Sequence, residues 1–163
     1  MNRSTTRYLA VPVSVTDSDL LPQLARREAD RFYWERPGEG FSLLALGCRE
    51  AIEPQAAQRF GAADAALRNL AERVRGVEPE TPLVVGGFAF APRPPRDTHW
   101  ADFPVARLVL PELLWIRRNG TNRVCAFLPL FPGESTDSIE ARSRALAADG
   151  DSNPISTDLL HDT

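Results

Sequence analysis

Short apolar runs closed off by turn residues dominate residues 8–130, and they constrain the fold more than any other feature of the chain. Tyr8 to Val15 alternates, which places Leu9, Val11, Val13 and Val15 on one face of a strand. Pro12 within it predicts an edge strand, because proline cannot donate to a ladder. Phe32–Arg36 and Phe41–Gly47 flank Pro37-Gly38-Glu39-Gly40 and predict a hairpin. Pro82 to Phe90 reads as a buried strand with the unusual pair Gly86-Gly87 inside it, a mark of a bulge or of close approach by another group. Ala106–Val109 and Leu113–Ile116 lie on either side of Pro111-Glu112, and Asn119-Gly120 turns the chain into Arg123–Leu128.

Two helices interrupt these strands. Asp17-Ser18-Asp19 caps a short one that runs to about Asp30. The clearer one spans about Pro54 to Arg75, with Phe60, Ala63, Leu67, Leu70 and Val74 on a single face. Arg59, Asp64, Arg68, Glu72 and Arg73 fall mostly off that face, and Gly76 suits the C-terminal cap. Two helices and about seven strands, mostly joined by hairpins, predict an α+β fold with a mainly antiparallel sheet and flanking helices.

The 163 residues suit one domain of ordinary size. Residues 1–132 carry a formal charge of +2 and the segment from Gly133 carries −5. This break, with the polar composition that follows, divides a body at 1–132 from an acidic linker or tail at 133–163. Within the tail Ser138–Ala148 predicts one helix, and 149–163 is expected to be mobile. A net charge of −3 argues against a strongly basic nucleic-acid binder. No apolar run reaches the roughly 18–20 residues that cross a bilayer. The first residues lack the apolar stretch of a secretory signal, so a cytoplasmic protein is expected.

All 19 basic residues are arginine. That excludes a lysine Schiff base, a lysine general base and a Walker A phosphate loop from this chain. Cys48 and Cys125 have no CxxC spacing and read as small buried hydrophobes. His99 and His161 stand alone, His161 near the end of the tail, so no cluster has metal-ligand spacing. Asn119-Gly120-Thr121 matches a glycosylation sequon but reads as a turn.

Several segments, in order, resemble the N-terminal part of isochorismate synthases in the chorismate-utilising enzyme family. They are Phe32-Tyr33-Trp34-Glu35-Arg36-Pro37, Leu43-Leu44-Ala45-Leu46-Gly47, Pro82 through Phe90, Trp100-Ala101-Asp102-Phe103-Pro104 and Leu108-Val109-Leu110-Pro111. The resemblance covers about residues 8–130. It implies one half of a two-sheet sandwich with helices outside. Related anthranilate and aminodeoxychorismate synthases carry a Leu-Glu-Ser element early in the chain. Phe32-Tyr33-Trp34-Glu35-Arg36 stands in that place here, which favours the isochorismate or salicylate branch.

In that family a lysine activates water, a glutamic acid protonates the departing hydroxyl, and Mg²⁺ neutralises a substrate carboxylate. The resemblance places those groups in the C-terminal half. No catalytic, cofactor-binding or metal-binding position is therefore carried over to any residue of this chain, and none is expected to bind Mg²⁺ alone. The implied function is the scaffold portion of an isochorismate synthase, which converts chorismate to isochorismate for menaquinone, siderophore or salicylate only with its missing C-terminal half. The chain would then be a fragment, a separated domain or a split-gene product. The alternative is a stand-alone structural or interaction module of the same fold.

Other residues invite a role. Glu35 and Arg36 can form an ion pair near a cleft, though a surface pair is the simpler reading. Gly86-Gly87 can admit a partner or form a bulge. Trp34, Trp100 and Trp115 can line a pocket, but strand aromatics usually belong to a core. A lone half should also leave an apolar face open on alternate residues of Phe41–Leu46, Leu83–Phe90 and Leu108–Ile116, and self-associate through it.

Overall fold

Strands buried on both faces lose the apolar–polar alternation, and Phe41–Leu46 is such a strand. In the computed structural model, which describes residues 6–14, 30–54, 58–79, 81–91 and 104–148, it lies inside a six-stranded sheet. The strands are β1 (Tyr8–Pro12), β2 (Arg31–Arg36), β3 (Phe41–Leu46), β4 (Glu50–Ile52), β5 (Val74–Arg75), β6 (Val85–Phe88), β7 (Ala106–Leu110), β8 (Leu113–Arg118) and β9 (Thr121–Pro129). The helices are α1 (Arg59–Arg73) and α2 (Thr136–Ala148). The larger sheet has the order β2-β3-β8-β9-β1-β5, antiparallel except for the short β1–β5 pairing. A smaller antiparallel sheet has the order β4-β7-β6. The fold is mixed α+β with mainly antiparallel sheet, as the sequence predicts.

Each face of the larger sheet has its own cover. Leu43, Ala45, Leu114 and Phe127 point to one side and pack with Ile52, Leu108 and Leu110 of the smaller sheet and with Ala63 and Leu70 of α1. Leu44, Leu46, Leu113, Trp115 and Leu128 point to the other side, where Ile139, Leu146 and Ala147 of α2 pack on them. Full burial of a leucine stabilises by about 1.5–3 kcal/mol, so neither face tolerates exposure. The open face expected over Phe41–Leu46 and Leu108–Ile116 is therefore closed by the chain's own elements. The chain changes sheets at Pro111-Glu112, where Pro111 is fully buried and the Glu112 amide donates to the Leu46 carbonyl at 2.9 Å.

Local chemistry explains most boundaries. Asn119 (φ 50°) and Gly120 (φ 80°) form the two-residue turn between Arg118 and Thr121, the left-handed pair that such hairpins need. Pro37–Glu39 forms a 3-10 turn closed by Gly40, whose amide donates to the Pro37 carbonyl at 3.0 Å. β1 is second from the edge and not the edge strand that Pro12 suggested. Pro12 is tolerated because the β5 ladder reaches only Tyr8 and Leu9. The more deeply buried side of β1 holds Tyr8 and Ala10, while Leu9 and Val11 are half-buried; Val15 lies outside the described residues.

The long helix is shorter than its pattern. It ends at Arg73, and Val74 is already extended at the C-cap (φ −101°, ψ 130°) because Val74–Arg75 pairs with β1. Gly76 serves that crossing and not the cap: at φ 73°, a Cβ there would meet the Ala10 carbonyl oxygen at 2.7 Å. Ala63, Leu70 and Val74 of the predicted stripe are buried, but Phe60 is 60% exposed and Arg59 is buried in its stead. The helix predicted before Asp30 and the tail 149–163 lie outside the described residues. The acidic segment after Gly133 supplies α2, which packs on the sheet as described.

Ion pairs fasten each of the two helices. Arg73 at the end of α1 donates to both Glu50 oxygens (2.6 and 3.0 Å) and to the Thr6 carbonyl (2.8 Å), while the Tyr8 hydroxyl donates to Glu50 at 3.2 Å. Burial, reinforced by Glu50, pushes the Tyr8 phenol above its ordinary value. Arg142 of α2 donates to both Glu134 oxygens (2.6 and 2.7 Å) and to the Pro129 carbonyl (3.2 Å).

Replacing Glu50→Gln removes the charge from the first network, and we expect a loss of about 1.5–3 kcal/mol, read from the urea midpoint. The second network gives a pH dependence. Hydrogen bonding from Arg142 is the main cause that holds Glu134 below its ordinary value of 4.5. The pair therefore contributes in full above that value and its contribution is lost as pH falls through the lower folded-state value. The stability difference between wild type and Glu134→Gln should be largest near neutral pH and close as the acid limb is crossed in parallel urea titrations.

Candidate functional site

A cavity of about 1030 Å³ is lined by residues of β2 and β3 from the larger sheet and of β6 and β7 from the smaller one. Ala45, Val85 and Val109 lie among its apolar lining, with Phe32, Phe88 and Phe90 beside them. Asp30, Arg31 and Arg107 are the charged residues that line it. Arg107 donates to Asp30 at 3.0 Å and also to Glu53, so a residue of the smaller sheet binds the segment leading into β2. The bond to Glu53 is the main cause that raises the Arg107 guanidinium further. Both acids thus serve a guanidinium that links the sheets.

The glycine pair has two different explanations. Gly86 (φ 140°) is a close-approach position: a Cβ would lie 2.0 Å from the Arg107 carbonyl oxygen of its own neighbour β7. Gly87 meets nothing within 4 Å and faces open space. Glu35 and Arg36 do not pair with one another, since successive strand residues point to opposite faces. Glu35 accepts from the Tyr33 hydroxyl at 2.9 Å, and Arg36 pairs with Glu39 at 2.6 Å. Trp115 is core, whereas Trp34 is half exposed, edge-on to Phe41 at 5.6 Å and beneath Arg36. Trp100, His99 and His161 lie outside the described residues.

Sequence reasoning missed Arg59, Phe60, Phe88 and Phe90, which adjoin one another. The Arg59 guanidinium donates to the Phe90 carbonyl at 3.3 Å and lies 4.8 Å from the Phe60 ring centre. Phe60 in turn packs on Phe88 at 4.9 Å. The signal was available: Phe60 sits at the first position of the helical stripe, where a small phase error moves it off the core.

Among the described residues no three His, Cys, Asp or Glu side chains come together as a metal ligand set. Both thiols are free. Burial raises Cys48 and pushes Cys125 up to about 11. Cys125 lines a second cavity of about 560 Å³ between Pro12 and Arg123. Its thiolate fraction at pH 8 is roughly a thousandth, so alkylation by iodoacetamide should be slow in the folded chain and rise about a hundredfold in urea, followed by mass spectrometry.

Residues 2–157 match the family described as chorismate binding enzyme. The chain is 31% identical over 115 residues to the salicylate biosynthesis isochorismate synthase of Pseudomonas aeruginosa, covering 71% of this chain and 24% of that protein. It shares a fold with MenF, the menaquinone-specific isochorismate synthase of Escherichia coli, with a TM-score of 0.54 and 23% identity over 93% of this chain and 30% of that one. The chain spans about a quarter of the length of the curated relative.

Proposed function

The chain belongs to the chorismate-binding enzyme family, and from that premise we propose that it is the N-terminal scaffold portion of an isochorismate synthase. The observation that carries the reading is its 31% identity with an isochorismate synthase of which it spans only 24%. In this reading chorismate is the substrate of the completed enzyme. The proton-transfer groups and the Mg²⁺ ligands reside in the C-terminal remainder.

Three features support the division of labour. General acid–base catalysis needs a base with a pKa near the working pH and within reach of the substrate. The family's base is a lysine, and this chain has none. Asp30, the acid that lines the cleft, is engaged by Arg107, and Cys125 is held protonated by burial. What the chain supplies is a sheet covered on both faces with a cleft beside it, a suitable wall for a site completed from elsewhere.

One observation favours the second reading, a stand-alone module. Both faces of β3 and β8 are covered by the chain's own elements, with Leu44, Leu113 and Leu114 fully buried. Such a chain can fold by itself, which a scaffold also requires, so the activity decides between the two.

Purified chain with chorismate and Mg²⁺ should yield no isochorismate in a coupled assay. Co-expression with the C-terminal remainder of the Pseudomonas aeruginosa relative should yield Mg²⁺-dependent turnover. Turnover by the chain alone that survives repurification would overturn the reading, and so would failure to bind the remainder.

A further inference from the structure

Resting on the reading of the chain as a scaffold portion, we propose that the free edge of β6, with Phe60, Phe90 and the buried Arg59 beside it, is the seat of the catalytic remainder. An extended segment of the remainder adds to β6, and one of its carboxylates reaches Arg59.

The strand edges are not alike. Proteins blunt exposed edges with charge or proline to stop them pairing with other chains. β2 carries Arg31, Glu35 and Arg36, β4 carries Glu50, and β5 carries Arg75. β6 pairs with β7 on one side only, and the run Val85 through Phe90 holds neither charge nor proline. Among the described elements it is the sheet edge left without protection. Gly86, Gly87 and Phe88 are exposed, Phe90 is fully so, and Phe60 extends the patch from the first turn of α1. The apolar cavity between the sheets runs along the same strand. A contiguous aromatic surface on an open edge marks a place where another chain binds.

Arg59 indicates what that chain brings. It is 9% exposed, and its Nε and Nη1 find no hydrogen-bond acceptor among the described residues. A guanidinium stays charged, and a buried one with unmade hydrogen bonds is costly. Its natural partner is a carboxylate, which accepts from Nη2 together with either Nε or Nη1. A second copy of this chain would present the same edge, which has no acid on it. The relatives carry most of their length beyond the part matched here, since this chain covers 24% of one and 30% of the other. The occupant is therefore that remainder.

Two substitutions separate docking from folding. Gly87→Lys places a charge on the edge at a position where a Cβ meets nothing within 4 Å. Arg59→Met removes the unpaired cation while keeping an apolar stem. The full chain and each variant are co-expressed with the remainder of the Pseudomonas aeruginosa relative; affinity is read from titration, and melting is followed for each chain alone. We expect Gly87→Lys to weaken binding about tenfold or more with the melting temperature of the chain little changed. Arg59→Met should raise or preserve the melting temperature of the chain alone and still weaken the complex. If the wild type binds the remainder and Gly87→Lys binds equally well, the docking site is elsewhere and the proposal falls while the scaffold reading stands. If the wild type does not bind the remainder, the scaffold reading falls and the proposal with it. Self-association abolished by Gly87→Lys, without binding of the remainder, would replace the proposed occupant by a second copy.

Discussion

Two-sided burial of β3, β8 and β9 governs everything around them. A sheet with one wet face needs a single cover, but Leu43 and Leu44, or Leu113 and Leu114, point in opposite directions and are buried alike. At about 25 cal/mol per Å² of apolar surface, neither face can be left to water. The chain meets this with two unlike covers. A smaller sheet with α1 lies on one side, and α2, built from the acidic segment, lies on the other. Pro111-Glu112 is the corner that permits it, since β7 and β8 are consecutive in sequence yet belong to different sheets.

That solution leaves the strand edges unequal. Burial decides the faces, whereas pairing decides the edges, and the two are independent. β2 ends the larger sheet with charged residues and an aromatic pair, Trp34 and Phe41, packed on the surface. β6 ends the smaller sheet with two glycines and a phenylalanine. Gly86 is needed there for a reason internal to the fold, the close passage of the Arg107 carbonyl. Gly87 has no such reason, and its open surroundings mark where the requirements of the fold stop.

Much of this was legible in the sequence, and the rest was hidden for identifiable reasons. The two hairpins were readable because Pro37-Gly38-Glu39-Gly40 and Asn119-Gly120 carry turn chemistry that acts locally. The family resemblance rested on the order of apolar segments and agrees with the relatives found. β4 and β5 escaped because three-residue and two-residue strands have no period to detect; only a partner strand defines them. The same partner cut α1 short at Arg73, overriding the periodicity that carried the expected helix to Arg75. Periodicity also put Phe60 inside and Arg59 outside, and the structure reverses both. The Arg107 bridge was out of reach altogether, because Asp30, Glu53 and Arg107 are distant in sequence. Of the expected open face, Phe41–Leu46 and Leu108–Ile116 are covered, while Phe88 and Phe90 of the Leu83–Phe90 run stay exposed. Apolar strands say that a cover exists but not whose it is, and here α2 provides one of the covers.

A scaffold of this kind has to be stable alone and receptive at one place, and those demands pull on different residues. Arg73 and Glu50 satisfy each other within the chain, as do Arg142 and Glu134, so their charges stabilise what is already folded. Arg59 does not follow that pattern. It is as buried as a core residue, yet two of its nitrogens have no acceptor among the described residues. A mutation to methionine or leucine at that position would serve a self-sufficient module better, because a well-packed apolar side chain is often at least as stable as a buried ion pair. An arginine there makes physical sense if the acceptor arrives from outside. The position lies beside Phe60 and Phe90, next to the edge without charge, so the unmet hydrogen bonds and the unpaired strand call for a partner at one and the same place.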